Sequence, residues 1–199
     1  MKKALLLAAS VAFVAPQAFA QAKSFEGFSV GANLAVTKTT TDLSALGVTL
    51  TDSGNTSSLD LQAQYSMALG PQFVMGFGLT LGTGTNKAGT FSSGGSTVEF
   101  ASKNRTAIDF IPGYAVSNNM MLFGKVSALN ADGVASSGGV DSTKSLSGIG
   151  YGFGVRGLID KNMFYQVGYD INKYNDITNS GVTFKASSTV LTLGVGYKF

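Results

Sequence analysis

Apolar residues recur at every second position in eight separate segments of this sequence, and this alternation limits the possible folds more than any other feature. Successive side chains of a β-strand point to opposite faces, so each segment predicts a strand with one apolar face. After residue 20 no apolar run approaches the roughly 18 residues of a membrane-spanning helix. The sequence therefore predicts an all-β chain. The clearest segment alternates six apolar residues with smaller or polar ones: Leu59, Leu61, Ala63, Tyr65, Met67 and Leu69.

The breaks between the segments alternate in length. Those after the second, fourth and sixth segments are short, and those after the first, third, fifth and seventh are longer and rich in Thr, Ser, Gly, Asn and Asp. This alternation predicts an eight-stranded antiparallel up-and-down transmembrane β-barrel with short periplasmic turns and longer extracellular loops. The predicted loops are residues 38–57, 84–98, 130–144 and 173–182.

The face opposite the apolar stripe favours a membrane barrel over a soluble β-sandwich, whose strands also alternate. That face carries mainly Gly, Ala, Ser, Asn and Gln, which suits the narrow interior of an eight-stranded barrel. The fifth segment is ambiguous, and we favour Leu122, Val126 and Ala128 outward with Lys125 inward. Six charged residues are predicted to face the lumen, either as a structural network or as the gate of a small pore: Asp60, Arg105, Asp109, Lys125, Arg156 and Asp170.

The register of the sixth segment can be decided by magnitude. A slip by one residue would turn four apolar side chains, from Ile149 to Val155, into the lumen. At roughly 1.5–3 kcal/mol for each side chain, the slip costs on the order of 6–12 kcal/mol. It would also point Arg156 at lipid, which costs roughly 2–4 kcal/mol more near the bilayer midplane. The sequence therefore specifies this register strongly.

The N-terminus predicts export. Lys2 and Lys3 precede an apolar stretch over residues 4–15, and Ala18-Phe19-Ala20 provides a small-x-small cleavage site. We therefore predict a signal peptide over residues 1–20, which is removed, and one barrel domain over residues 21–199. Of 14 basic residues two lie in the leader, so 12 remain against 11 acidic ones, and this balance gives no reason to expect nucleic-acid binding.

The residue content also limits the chemistry. The sequence contains no histidine and no cysteine, which excludes Ser/His nucleophilic catalysis, histidine metal sites and disulfides. Gly152-x-Gly154-x-x-Gly157 matches the dinucleotide fingerprint, but a turn and another strand follow it instead of a helix. We predict no enzymatic activity and no cofactor.

The last strand carries the most specific motif. Thr192-x-Gly194-x-x-Tyr197-x-Phe199 resembles the C-terminal assembly signal of small eight-stranded outer-membrane β-barrel proteins of Gram-negative bacteria, such as OmpX-like proteins and the membrane domain of OmpA. The resemblance implies an outer-membrane location in contact with lipid, recognition of this strand by the barrel-assembly machinery, periplasmic chaperones in transit, and a monomer. The strand is predicted to pair with the first one and close the barrel.

Two functions remain open at this point. The first is a non-enzymatic structural or surface-interaction role through the extracellular loops. The alternative is a small ion or solute channel, porin-like, in which the lumen charges form the gate. The loops carry no recognisable adhesion motif, and the sequence names no ligand.

Overall fold

The computed structural model describes residues 21–45, 47–93, 96–179 and 182–199. The predicted signal peptide, residues 1–20, lies outside the described residues. Within the described ranges no helix is long and apolar enough to cross a membrane. The strands are β1 Gly27–Ala45, β2 Val48–Ala68, β3 Phe73–Gly82, β4 Asn86–Ser93, β5 Ser96–Ala115, β6 Met120–Ser137, β7 Val140–Leu158, β8 Met163–Tyr174, β9 Ile177–Asn179 and β10 Val182–Lys198.

The strands form a closed antiparallel barrel with eight positions around the ring. The order is β1, β2, β3, β5, β6, β7, β8 and β10, and β10 pairs with β1 from Ser29↔Lys198 to Ala45↔Val182. The predicted pairing of the last strand with the first is confirmed. β4 continues β3 along β5, and β9 continues β8 along β10. Closure leaves no unpaired edge where all eight strands pair, while residues 48–59 of β2 and 140–147 of β7 extend beyond their ladders with β3 and β8.

The outer face of the barrel is apolar, as the alternation predicts. Large side chains lie exposed there, for example Leu34, Ile108 and Phe153, of which Phe153 is 65% exposed. Cross-strand aromatic pairs such as Phe77–Phe110, with ring centroids 5.5 Å apart, reinforce this belt. The fifth predicted strand, β6, has its favoured facing.

The two ends of the barrel differ. We call the end that carries both chain ends and the three short turns the periplasmic end, and the opposite end the extracellular end. At the periplasmic end residues 21–23 form a helical turn, and the Ala22 N–H donates to the Pro71 carbonyl at 3.1 Å. Ala22 and Phe25 are buried in an apolar cluster with Val74, Ala115 and Met121. We call this cluster the periplasmic plug.

The four regions predicted as long extracellular loops are mostly strand, and this part of the sequence prediction is wrong. β1 runs to Ala45 and β2 begins at Val48, while β6 ends at Ser137 and β7 begins at Val140. A composition rich in threonine and serine predicts loops, but β-branched threonine is well suited to strands, and hydroxyl pairs form across them. The Ser44 and Thr49 hydroxyls lie 2.8 Å apart across this hairpin. The barrel therefore continues beyond its apolar belt as a polar-walled extracellular extension.

A β-bulge in β5 interrupts the strict alternation on which the sequence prediction depends. The register with β6 shifts between Lys103 and Thr106, and Asn104 has a φ of 52°. Asparagine tolerates this left-handed conformation better than most residues, and its amide donates to Asp132 Oδ2 at 2.8 Å. One extra residue reverses the facing of the strand beyond the bulge, so Phe100 also faces the lumen.

Candidate functional site: the barrel lumen

A hydrogen-bonded layer crosses the lumen, and we call it the polar floor: Asn33, Gln62, Gln64, Arg156 and Gln166. Arg156 Nε and Nη2 donate to Gln166 Oε1 at 3.1 and 2.6 Å, and Nη2 also donates to Gln64 Oε1 at 2.8 Å. Gln166 Nε2 donates to Asn33 Oδ1 at 2.7 Å and to Gln62 Oε1 at 2.9 Å. Arg156 on β7 and Gln64 on β2 come from opposite walls of the ring, so the floor spans the lumen.

The floor is continuous with apolar packing on its periplasmic side. The Arg156 guanidinium carbon lies 4.4 Å from the centroid of the Phe164 ring, which itself is buried. This cation–π contact stabilises a charge that is removed from water. Together with the periplasmic plug, the floor fills the periplasmic half of the lumen with packed side chains.

Above the floor two ion pairs join predicted lumen charges. Lys125 Nζ lies 2.8 Å from Asp170 Oδ2, and Arg105 Nη2 lies 3.0 Å from Asp60 Oδ1. Ser58 Oγ donates to the same Asp60 oxygen at 3.1 Å. The structure thus brings four of the six predicted charges together as two pairs. An opposite charge and additional hydrogen bonds together offset the free-energy cost of removing a buried charge from water.

The other two predicted charges lie in the lumen without an ionic partner among the described residues. Asp109 is 1% exposed and accepts one hydrogen bond at each oxygen, from Thr80 Oγ1 and Ser127 Oγ, both at 2.6 Å. Arg156 is held by the glutamine amides of the floor. For these two residues short hydrogen bonds from neutral groups take the place of an opposite charge and stabilise the buried charge.

Glycines on β7 make this packing possible. Gly150, Gly152 and Gly154 face the lumen, and a Cβ at Gly152 would overlap the Asp170 carboxylate. A Cβ at Gly154 would overlap the ring of Phe123. The glycine run therefore accommodates larger side chains of neighbouring strands, as the sequence predicts.

β4 narrows the extracellular half of the lumen. The Lys87 N–H donates to Thr56 Oγ1 at 3.0 Å and the Thr90 N–H donates to Asp52 Oδ2 at 2.7 Å, so β4 lies against the inner face of β2. The N–H groups of Thr90 and then Ser53 hold the pKa of Asp52 below its usual value. Hydrogen bonds to the charged form of a carboxyl group favour that form.

A cavity of about 380 Å³ lies above the floor. Its lower wall carries the ion pairs, and its extracellular wall combines apolar residues such as Phe100 and Phe184 with polar ones such as Lys144. The centroids of these two rings lie 5.2 Å apart, although β5 and β10 occupy opposite positions of the ring. Sequence reasoning missed this aromatic contact because strict alternation along the fourth predicted strand gives Phe100 the outward facing of Ile108 and Phe110. The bulge at Asn104, signalled only by a polar KN pair within the segment, could have indicated it.

The predicted assembly signal lies at the closing seam. Thr192 Oγ1 donates into the lumen to the Gly168 carbonyl at 3.3 Å, and Gly194 lies directly under the Asn33 side chain, which a Cβ would displace. Gly194 thus has a packing role in the floor. These two residues face inward and are separated by the strand from the outward aromatic pair.

The outward pair ends the chain at the periplasmic rim. The Phe199 N–H donates to the Phe28 carbonyl at 2.8 Å, and the Phe199 ring lies 5.1 Å from that of Tyr197. Phe199 is nevertheless 69% exposed. The backbone is therefore fixed by the barrel while the last ring remains accessible from outside.

The described residues contain no group of three or more acidic side chains placed to hold a metal ion. The cavity lining combines hydrogen-bonding, charged and apolar side chains.

Comparisons with known proteins agree with this architecture. The sequence profile of the outer membrane protein beta-barrel domain matches residues 4–199. No curated protein matches the sequence significantly. Neisserial surface protein A (NspA) is 20% identical with a TM-score of 0.57, covering 87% of this chain and 98% of its own. OprG of Pseudomonas aeruginosa is 12% identical with a TM-score of 0.55, covering 87% and 96%. The protease OmpT of Escherichia coli is 10% identical with a TM-score of 0.50, covering 87% and 97%. At these identities the likeness extends to the fold alone.

Proposed function

Because the chain belongs to the outer membrane protein beta-barrel domain family, and is thus an integral outer-membrane protein of Gram-negative type, we propose that it is a non-enzymatic barrel with a closed lumen that contacts other molecules at the cell surface. The observation that carries this proposal is the polar floor. It joins opposite walls through hydrogen bonds of 2.6–3.1 Å, which leave no room for a hydrated ion between them. The periplasmic plug adds a second barrier below it.

The same observation argues against the alternative of a small channel. A pore gated by the lumen charges needs a water path from one end to the other, and eight strands leave little interior space for one. Here Lys125 and Arg105 are neutralised by Asp170 and Asp60 and lie above the floor. Rearranging those pairs would leave the floor in place.

The surface role belongs to the extracellular extension. Its outer face is polar, with Lys38, Thr40 and Asp42 along β1 and Asn55 along β2, and these positions lie beyond the apolar belt. Two-residue connections join β1 to β2 and β6 to β7, so contacts with other molecules would be made by strand walls and hairpin tips rather than by long loops.

Two further elements of the proposal concern assembly and chemistry. The exposed Phe199 ring at the periplasmic rim supports recognition of the last strand by the barrel-assembly machinery. The proposal also includes transit of the chain with periplasmic chaperones and a monomeric barrel. The absence of histidine from the sequence supports a role without Ser/His catalysis.

Single cysteines test the surface placement cleanly, because the chain contains no cysteine. We expect Asn55→Cys, on the outer face of the extension, to react with a membrane-impermeant maleimide in intact cells. Lys161→Cys, in the exposed turn between β7 and β8, is the matched control and should react only after lysis. Labelling of Lys161→Cys alone in intact cells would reverse the orientation and overturn the surface role.

A further inference from the structure

The cavity above the floor has the volume and the lining of a small-molecule site. Its volume of about 380 Å³ lies within the range of roughly 300–1,000 Å³ that is usual for such sites. Pockets of this kind hold the apolar body of a ligand, while a few polar or charged groups fix its head. Apolar side chains from four strands contribute to the lining: Phe100, Leu129, Leu146, Phe184 and Val190.

The charged side chains of the cavity do not balance. The lining contains four cations and three anions: Arg105, Lys125, Lys144, Arg156, Asp60, Asp109 and Asp170. Six of them are engaged by the two ion pairs and by the hydrogen bonds of Asp109 and Arg156 described above. Lys144 is the seventh, and within the described part of the chain its side chain makes no ion pair or hydrogen bond. The lining therefore has a net positive charge, with Lys144 as its unengaged cation.

Lys144 lies at the extracellular end of the cavity and faces inward. Alternation along β7 places it on the same face as Ser142 and Leu146, and all three residues line the cavity. Arg156 of the floor lies near the other end of the same strand. Lys144 is exposed, so a ligand that enters from the extracellular end can reach it.

The wall beside Lys144 provides no acceptor side chain for it. Its register partner on β6 is Gly133, which has no side chain. On the other flank the ladder with β8 extends only to Gly148, so this segment of β7 has one described strand neighbour. Asp132 and Asp141, the acids of this hairpin, alternate to the outer face, where they accept from Asn104 and Ser136 and do not line the cavity.

An unengaged cation beside apolar side chains fits an anionic head group. A lysine ammonium is a donor only, and its hydrogen bonds to a carboxylate are stronger than those between neutral groups. A carboxylate carries one negative charge, as the net charge of the lining requires, whereas a phosphate monoester carries about 1.5 to 2. Leu146 is the next inward residue of β7 toward the floor, so the apolar lining begins beside the head position.

We propose that the lumen above the floor binds a small amphipathic carboxylate, with its carboxylate at Lys144 and its apolar body against Leu146, Phe100 and Phe184. The site goes beyond the surface role and does not depend on it, since the cavity lies inside the wall whether or not the outer face has a partner.

Methyl NMR of the full chain in nanodiscs of zwitterionic lipid tests the site at pH 7, with hexanoate as the anionic probe and 1-hexanol as the matched uncharged compound. The lumen methyls of Leu129, Leu146 and Val190 report binding. The exposed methyls of Leu191 and Leu193 report partitioning into lipid. We expect saturable shifts of the lumen methyls with hexanoate. Added salt should weaken hexanoate binding and leave hexanol binding unchanged, because salt screens a solvent-accessible charge.

Two variants of Lys144 test the head group, and both change an exposed side chain that the fold does not need. Lys144→Gln should weaken hexanoate binding about fivefold and leave hexanol binding unchanged, because an ionic hydrogen bond at an accessible site is worth about 1 kcal/mol. Lys144→Glu should abolish hexanoate binding and allow hexylammonium to bind instead. Lys38→Gln is the matched control, since it removes an exposed cation from the outer face of β1 and should change neither affinity.

Three outcomes would overturn the proposal. The first is a set of hexanoate shifts confined to the lipid-facing methyls. The second is hexanoate binding that is undiminished in the Lys144→Gln protein, because the carboxylate would then bind elsewhere. The third is an equal loss of hexanoate affinity in Lys144→Gln and Lys38→Gln, because the overall charge of the barrel, and not a site at Lys144, would then attract the anion.

Discussion

Replacing Arg156 by methionine should destabilise the barrel far more than removing an exposed cation. The guanidinium makes three hydrogen bonds to the side-chain oxygens of Gln64 and Gln166 and lies over the Phe164 ring. Methionine retains the apolar bulk but leaves both amide oxygens without that donor. Each buried acceptor without a partner costs about 1–3 kcal/mol, so the two together imply a loss of about 2–6 kcal/mol. Water that enters the vacated space places the loss at the lower end of this range.

The assay is urea unfolding of protein refolded into lipid vesicles, followed by far-UV circular dichroism and by the migration difference between unheated and boiled samples. Lys161→Met, in the exposed turn after β7, is the matched control, and its free energy of unfolding should stay within about 0.5 kcal/mol of the wild-type value. Arg156→Lys should be intermediate, because a lysine supplies charge but not the planar fork. Equal unfolding free energies of Arg156→Met and the wild type would refute the structural role of the floor.

Three further changes probe other parts of the molecule. Phe199→Ala should lower the outer-membrane yield in cells more than the refolding yield in detergent, whereas equal losses would mean that the ring serves packing alone. Gly152→Val should cost about 1–3 kcal/mol of unfolding free energy in urea, because the added side chain displaces the Asp170 carboxylate, and an unchanged midpoint would contradict that contact. Hydrogen bonds from the N–H groups of Met163 and then Asn162 lower the pKa of Asp160 in the folded protein. The contribution of Asp160 to stability is therefore present above the unfolded pKa and disappears as pH falls through the folded pKa. The difference in unfolding free energy between wild type and Asp160→Ala should be larger at pH 7 than at pH 2, and a difference independent of pH would argue against this contribution.

The apolar belt could be predicted from the sequence because the facing of its residues depends only on alternation within each strand. Each strand must present apolar residues to lipid at every second position, and one slip exposes the whole stripe to the lumen. Leu59 and Phe153 could therefore be assigned to the outer face from the sequence alone. The closing pairing of the last strand with the first follows equally, because an unpaired edge is not tolerated in lipid.

The extracellular extension could not be predicted in the same way. Outside the lipid its outer face is polar and its hairpins end in small residues, so the region around Thr40 and Thr51 has the composition of a loop. Cross-strand bonds such as Thr51 Oγ1 to Asp42 Oδ1, at 2.6 Å, stabilise the strands there. The bulge at Asn104 added a second difficulty, since one inserted residue reverses the facing of Phe100.

The lumen residues were predictable as a set but not as partners. Alternation places Arg105, Lys125 and Arg156 inside, whereas their contacts depend on the stagger between strands distant in sequence. Arg156 meets Gln64, 92 residues away, and no pattern within β7 or β2 encodes that contact.

Planar-bilayer recording of the refolded wild-type protein tests the closed lumen most directly. The sample is protein whose folding is verified by the difference in gel migration between unheated and boiled samples. Because the polar floor and the periplasmic plug close the lumen, we expect this protein to show no steady conductance above the baseline noise of the bilayer. A stable conductance that Lys125→Glu abolishes or reverses in ion selectivity would contradict the closed lumen and establish the charged wall as part of a pore.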